Sequence, residues 1–162
     1  MILVTLGSQK FQFNRLLEAI DRQIESGVIT DPVFAQTGWS DYQPAHYASA
    51  PFLDREEVDA WVSKSDVVIA HGGTGAIIGA LKKGKKVIAV PRLAKYGEHV
   101  DDHQEQITGQ FSDLGMILEC RDCDELGKMI AQARAQTFRP YESHTQAYLD
   151  SIEKFLRESF DV

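Results

Sequence analysis

Apolar positions along this chain come in two textures. Short unbroken runs of branched aliphatics (Ile2-Leu3-Val4, Val67-Val68-Ile69, Val87-Ile88-Ala89-Val90) alternate with stretches where Leu and Ile recur every three or four residues. A strand buried on both faces has no polar side, so the runs read as parallel-sheet strands; the helical spacing reads as amphipathic helix. Strands are predicted over 1–6, 32–37, 66–70, 86–90 and 116–119, with a further short one near 48–51. Helices are predicted over 13–26, 56–63, 74–83, 101–114 and 124–136. In the first helix Leu16, Leu17, Ile20 and Ile24 share a face, and Gly27 closes it. Asp54 is a plausible N-cap for the second, and Gly84 ends the third.

Strands thus alternate with helices, and their interiors are apolar throughout. With right-handed crossovers this predicts an α/β fold: one Rossmann-like, doubly wound parallel sheet. The 162 residues are expected to form a single domain spanning 1–162. After Tyr141 the pattern changes. Tyr148, Ile152, Phe155, Leu156 and Phe160 fall at offsets of three or four, with Leu149 adjacent, which predicts an amphipathic C-terminal helix. Packing of this helix on its own sheet is the favoured reading; the sharper one is a docking surface for another subunit.

Composition narrows the function classes. With 43% hydrophobic and 25% charged residues the chain is ordinary for a globular protein. No apolar run approaches the roughly 20 residues of a membrane span. The first residues lack the basic flank of a signal peptide and read as a strand, so a cytoplasmic location is expected. A net charge of −7 argues against sequence-independent nucleic-acid binding, which needs Lys and Arg on phosphates, and against direct adsorption to an anionic membrane. Cys120 and Cys123 form one C-x-x-C pair. A redox dithiol and half a zinc site are both conceivable, but the simplest reading is two reduced cysteines at a strand-to-helix junction.

The chemistry centres on His71-Gly72-Gly73-Thr74-Gly75, where a buried strand runs through a Gly-rich turn into a helix. Free amides at such a helix start, with the positive end of its dipole, make an anion site. Gly72, Gly73 and Gly75 let a phosphate approach the backbone, Thr74 is positioned to cap the helix, and His71 stands at the strand end. A dinucleotide fingerprint belongs after the first strand, where only Gly7-Ser8 occurs, and no G-K-[ST] marks a P-loop. Lys82-Lys83-Gly84-Lys85-Lys86 reads as a solvated turn. Trp61 reads as core on a helix face, and Trp39 as either core or site rim.

The stretch 66–104, strand–HGGTG–helix–GKKVIAVPR–loop–DDHQ, resembles the donor-binding C-terminal half of GT-B glycosyltransferases of family 28. It is similar to the small soluble subunits of two-component bacterial polysaccharide transferases. It is also similar to the small catalytic subunit of the eukaryotic dolichol-linked GlcNAc transferase. The similarity extends to Leu3-Val4-Thr5-Leu6-Gly7-Ser8 and Phe34-Ala35-Gln36-Thr37-Gly38.

The resemblance implies a UDP-sugar donor. Gly72, Gly73, Thr74 and Gly75 would hold its diphosphate, Phe52 and Leu53 would border the base, and Gly7 and Ser8 would lie beside phosphate or sugar. Asp102, His103 and Gln104 would meet the sugar, and Arg92 would contact phosphate or acceptor. Many relatives carry a ribose-binding Glu where this chain has Gly79, so the ribose would be held by Glu98 or Asp101 instead, or more loosely. His71 and His103 are candidates for the catalytic base, although the base is expected in another chain. His99, His103 and Asp102 could form a metal site on paper, but the resemblance implies neither metal nor other cofactor.

A complete GT-B enzyme has two such domains. This chain is therefore expected to be the donor subunit of a split, inverting hexosyltransferase. Its membrane-anchored partner would resemble the missing N-terminal half and bring a polyprenyl-diphosphate-linked acceptor, as in exopolysaccharide or capsule synthesis. A non-catalytic enhancer subunit is the alternative, and a UDP-sugar epimerase is a third reading.

Overall fold

The computed structural model describes the backbone of residues 1–160 and the side chains of residues 1–157. Its elements, in chain order, begin with β1 (Ile2–Thr5), α1 (Asn14–Glu25), β2 (Val33–Gln36), β3 (Ala48–Ala50), α2 (Arg55–Lys64) and β4 (Val67–His71). Then follow α3 (Thr74–Lys82), β5 (Lys86–Val90), α4 (His103–Asp113), β6 (Leu118–Glu119), α5 (Leu126–Ala135) and α6 (Thr145–Phe160). All strands pair in parallel, in the order β3-β2-β1-β4-β5-β6. This is the doubly wound order that places a crevice between β1 and β4.

Alternation along β1 shows why the runs are apolar throughout. Ile2, Val4 and Leu6 join Val67, Ile69 and Ile88 under Leu16, Leu17 and Ile20 of α1 and Leu126 and Ile130 of α5. Leu3 points the other way, with Val68, Ala70 and Val87, under Val62 of α2 and Ile77 and Leu81 of α3. Both faces are covered, so neither can be polar.

Helix ends follow local chemistry. Asp54 caps α2 through the Glu57 amide while the Glu57 side chain returns to the Asp54 amide, a capping box. Gly27, at φ +73°, closes the turn after α1. The predicted 124–136 helix opens instead with a 3-10 turn over Cys123–Glu125 before α5 begins. No helix covers the β2-to-β3 connection. That loop is fastened by buried Asp21, which accepts from Tyr42 Oη (2.8 Å), Ala45 N (2.7 Å) and His46 N (2.9 Å).

The helix predicted after Tyr141 forms, but it does not cover the sheet. Tyr148, Leu149, Ile152, Phe155 and Leu156 are all exposed. Just upstream, Phe138 and Tyr141 pack against the two cores, one on each. The side chain of Phe160, the last position of the predicted stripe, lies outside the described residues. Among the described residues no helix is long and apolar enough to cross a membrane.

Candidate functional site

The carboxyl ends of β1 and β4 lie side by side, with Thr5 registered on Ala70. The chain then leaves β1 for α1 on one face and β4 for α3 on the other. The two connections, Leu6-Gly7-Ser8 and Gly72-Gly73, are therefore forced to diverge, and the crevice opens between them.

His71 forms the floor. Its ring is buried, with Nδ1 3.4 Å from the Thr5 carbonyl, an approach that favours the Nδ1–H tautomer. The glycines on either side are required by this ring. A Cβ on Gly7 would lie 2.6 Å from His71 Cε1, and one on Gly73 would lie 2.2 Å from Nε2. Gly7 is also at φ +71°, a left-handed conformation that costs any other residue energy. Burial, reinforced by the Arg92 charge, pushes the His71 pKa down to about 4, so the ring is neutral at pH 7.

Helix α3 starts directly at this floor. Gly73 is its N-cap and no side chain caps it. The first intrahelical bond runs from Ile77 N to Gly73 O at 3.2 Å, so the amides of Thr74, Gly75 and Ala76 have no protein acceptor among the described residues. The sequence pattern predicts Thr74 as the cap. In the structure Thr74 is instead the first helical residue, exposed like Gly75, and its hydroxyl caps nothing.

Two buried glutamines hold the crevice walls. Gln104 Oε1 accepts from Gly72 N (3.0 Å) and Arg92 N (3.1 Å). Gln36 grips Gly7 from both sides: its Nε2 donates to Gly7 O (2.9 Å) and its Oε1 accepts from Gly7 N (3.2 Å). The family resemblance has Gln104 meeting a sugar; here its acceptor atom is committed to the main chain. Sequence reasoning misses Gln36, although a polar residue ending the apolar run Val33-Phe34-Ala35 is the available signal.

Arg92 and Glu98 are not presented to the crevice as the resemblance implies. The Arg92 side chain is only 1% exposed, and its guanidinium donates to the carbonyls of Leu6 (2.7 Å), Phe11 (2.9 Å), Glu98 (3.2 Å) and Gln12 (3.3 Å). Only Nε lacks a partner. Burial lowers its pKa to about 10, which leaves the charge in place at neutral pH. Glu98 is fully buried and accepts from Arg15 Nε (2.9 Å), Arg15 Nη2 (2.9 Å) and Leu93 N (3.0 Å). Both residues brace the 91–98 loop, so neither is free to meet phosphate or ribose.

The other shoulder is aromatic and open. Exposed Trp39 and Phe52 meet edge-to-face at 5.8 Å, and Trp39 Nε1 donates to Ser8 O at 3.2 Å. Lys10 lies 5.8 Å from the Trp39 ring, and Leu53 is half-buried. Trp61, by contrast, stacks on Phe34 at 3.9 Å, both half-buried against the core. Beyond Arg92, Asp102 Oδ1 accepts from Ala94 N at 2.7 Å, while His103 is exposed and contacts Asp101. Gly79 sits on α3 with open space around it. Cys120 and Cys123 are buried free thiols whose pKa values burial raises to about 12 and about 11, which disfavours thiolate chemistry.

Comparison with known proteins agrees with this architecture. The chain is 37% identical over 75 residues to the UDP-N-acetylglucosamine transferase subunit ALG13 of Eremothecium gossypii, covering 46% of this chain and 35% of that one. The Saccharomyces cerevisiae subunit of the same name is 33% identical over 95 residues, covering 59% of this chain and 44% of that one. The matched segments thus span less than half of these relatives. Among solved structures, Acinetobacter baumannii MurG superposes with a TM-score of 0.59 at 20% identity, over 93% of this chain and 49% of that one. An NMR structure of ALG13 gives 0.52 at 20% identity, over 99% and 96%. The model of the glycosyltransferase family 28 C-terminal domain matches residues 1–158, and the chain belongs to that family.

Proposed function

We propose that this chain binds the UDP-sugar donor of a two-component inverting glycosyltransferase. The observation that carries the reading is the uncapped start of α3. The free amides of Thr74, Gly75 and Ala76 converge at the β1/β4 crevice, where glycine on both sides keeps side chains out. Such amides and the helix dipole favour a diphosphate dianion, and favour it more as charge develops on the leaving group. The exposed Trp39–Phe52 shoulder offers an apolar surface on which a base can rest.

In the reaction an acceptor hydroxyl oxygen attacks the anomeric carbon. The bond from that carbon to the diphosphate oxygen breaks, and its electron pair leaves with UDP. The hydroxyl proton must go to a base. His71, at about 4, is a weak base at pH 7 and is walled in by Gly7 and Gly73. We assign the base to a second subunit resembling a GT-B N-terminal half. That subunit would carry the membrane anchor and a polyprenyl-diphosphate-linked acceptor, and the exposed apolar stripe of α6 is the surface offered to it. The relatives' names specify N-acetylglucosamine, which puts UDP-GlcNAc first among the hexose donors to try.

Calorimetric titration of the chain with UDP and a panel of UDP-sugars tests the donor reading. Binding of UDP is expected, and its absence sinks the proposal. Turnover is expected only when the partner is present. Full turnover by this chain alone would reject the split-enzyme part while leaving the donor site intact. An unchanged rate for a complex carrying Gly75→Ala that no longer binds UDP would make this chain an enhancer rather than the donor subunit.

A further inference from the structure

We propose that His99, Asp101 and His103 form a site for a zinc-like divalent ion on the loop leading into α4. The sequence pattern points to Asp102 as the carboxylate, but the fold uses that side chain elsewhere, on the Ala94 amide at 2.7 Å. Asp101 takes its place. His99 Nδ1 lies 3.2 Å from Asp101 Oδ1, His103 Nδ1 contacts the same oxygen, and one ligand atom from each residue lies within 4.8 Å of the others.

The 3.2 Å between His99 Nδ1 and Asp101 Oδ1 is close to what a metal requires, and the exposed His103 side chain would have to turn to bring its nitrogen to the same distance. With bonds of about 2.0 Å, two ligands of a tetrahedral zinc lie about 3.3 Å apart. A lone pair facing a carboxylate oxygen at 3.2 Å needs a positive centre between them. A proton on each imidazole can bridge its own pair, and a single metal ion can replace both by binding the two imidazoles and the carboxylate together.

The His99 ring is also held in place for this role. Its side chain is 7% exposed and packs between Phe11, with centroids 4.8 Å apart, and the His103 ring, at 4.7 Å. Asp101 and His103 are exposed, so the remaining coordination positions are open to water or an anionic oxygen. Two imidazoles and one carboxylate select zinc, cobalt or nickel over magnesium or calcium, which prefer oxygen ligands throughout. A bound ion would fix the start of α4, one residue before the Gln104 that holds Gly72. The site stands on the geometry of this loop and is independent of the donor reading.

The test uses the whole, untagged chain. Calorimetry with zinc, and cobalt absorption in the visible region as a second readout, should give one ion per chain. Zinc at a hundredfold excess over its dissociation constant should raise the Tm by roughly 5–10 °C. His103→Ala and Asp101→Asn, both at exposed positions, should each weaken binding tenfold or more, and His144→Ala should leave it unchanged. No stoichiometric binding, or equal binding by His103→Ala and Asp101→Asn, overturns the site. Zinc binding without UDP binding would sink the donor reading and leave this one standing; UDP binding without zinc would do the reverse.

Discussion

At the scale of single residues, the crevice is shaped by buried polar groups whose partners are backbone atoms. His71 is the most consequential. Its pKa of about 4 lies below the roughly 6.5 of a free imidazole, so between these values the unfolded chain takes up a proton that the folded chain refuses. Its contribution to stability is therefore complete above pH 6.5 and is lost as pH falls through 4. The loss is roughly 3 kcal/mol across the whole window. Thermal melts of the wild type and His71→Gln between pH 7 and pH 5 should converge as the pH drops. Parallel curves would show that the ring titrates normally. Gln104 gives a second prediction. Gln104→Leu leaves the Gly72 and Arg92 amides unpaired, which should cost about 2–4 kcal/mol and several degrees of Tm. A sugar-contacting Gln104 would instead lower donor affinity with an unchanged Tm.

Among the elements, α3 joins fold to chemistry. Its interior glycines are not needed for packing: a Cβ placed on Gly75 or Gly79 would have nothing within 4 Å, whereas Gly73, at the cap, is hard against His71. Gly75→Ala should therefore stabilise the chain, by up to about 1 kcal/mol from helix propensity. The same methyl would stand among the free amides and should weaken UDP binding tenfold or more. Higher Tm with undiminished UDP affinity would move the diphosphate away from α3. Gly73→Ala cannot separate these effects, because the clash with the ring disturbs fold and site together.

Element boundaries are largely legible in the sequence because they rest on local chemistry: Asp54 and Glu57 at a helix start, Gly27 and Gly84 at helix ends, and aliphatic runs for the strands. Side-chain commitments are not. Arg92 and Glu98 have the charges a donor site wants, and a sequence motif cannot show that carbonyls of the 6–12 segment and Arg15 from α1 claim them first. Gln36 escapes notice for the same reason, since its partner Gly7 lies 29 residues away.

For the whole molecule, the unusual feature is what remains uncovered. Helix α6 carries Tyr148, Leu149, Ile152, Phe155 and Leu156 into solvent, a stripe that a second subunit could bury. Phe155→Glu should leave the Tm and UDP binding of the isolated chain unchanged and abolish co-purification with the proposed second subunit. A large fall in Tm would instead mean that α6 packs on its own domain in solution.

Aliphatic runs, helical spacing and capping residues act over a few positions, so the elements and the parallel doubly wound sheet are legible along the chain, and the HGGTG and DDHQ motifs carry the family resemblance. Tertiary structure alone decided which polar residues are free. Whether His71 is neutral, whether Arg92 and Glu98 can meet a ligand, and whether Asp101 or Asp102 faces the two histidines all depend on groups brought close from distant parts of the chain. Burial and hydrogen bonding act through those distances in space, which periodicity along the sequence does not encode.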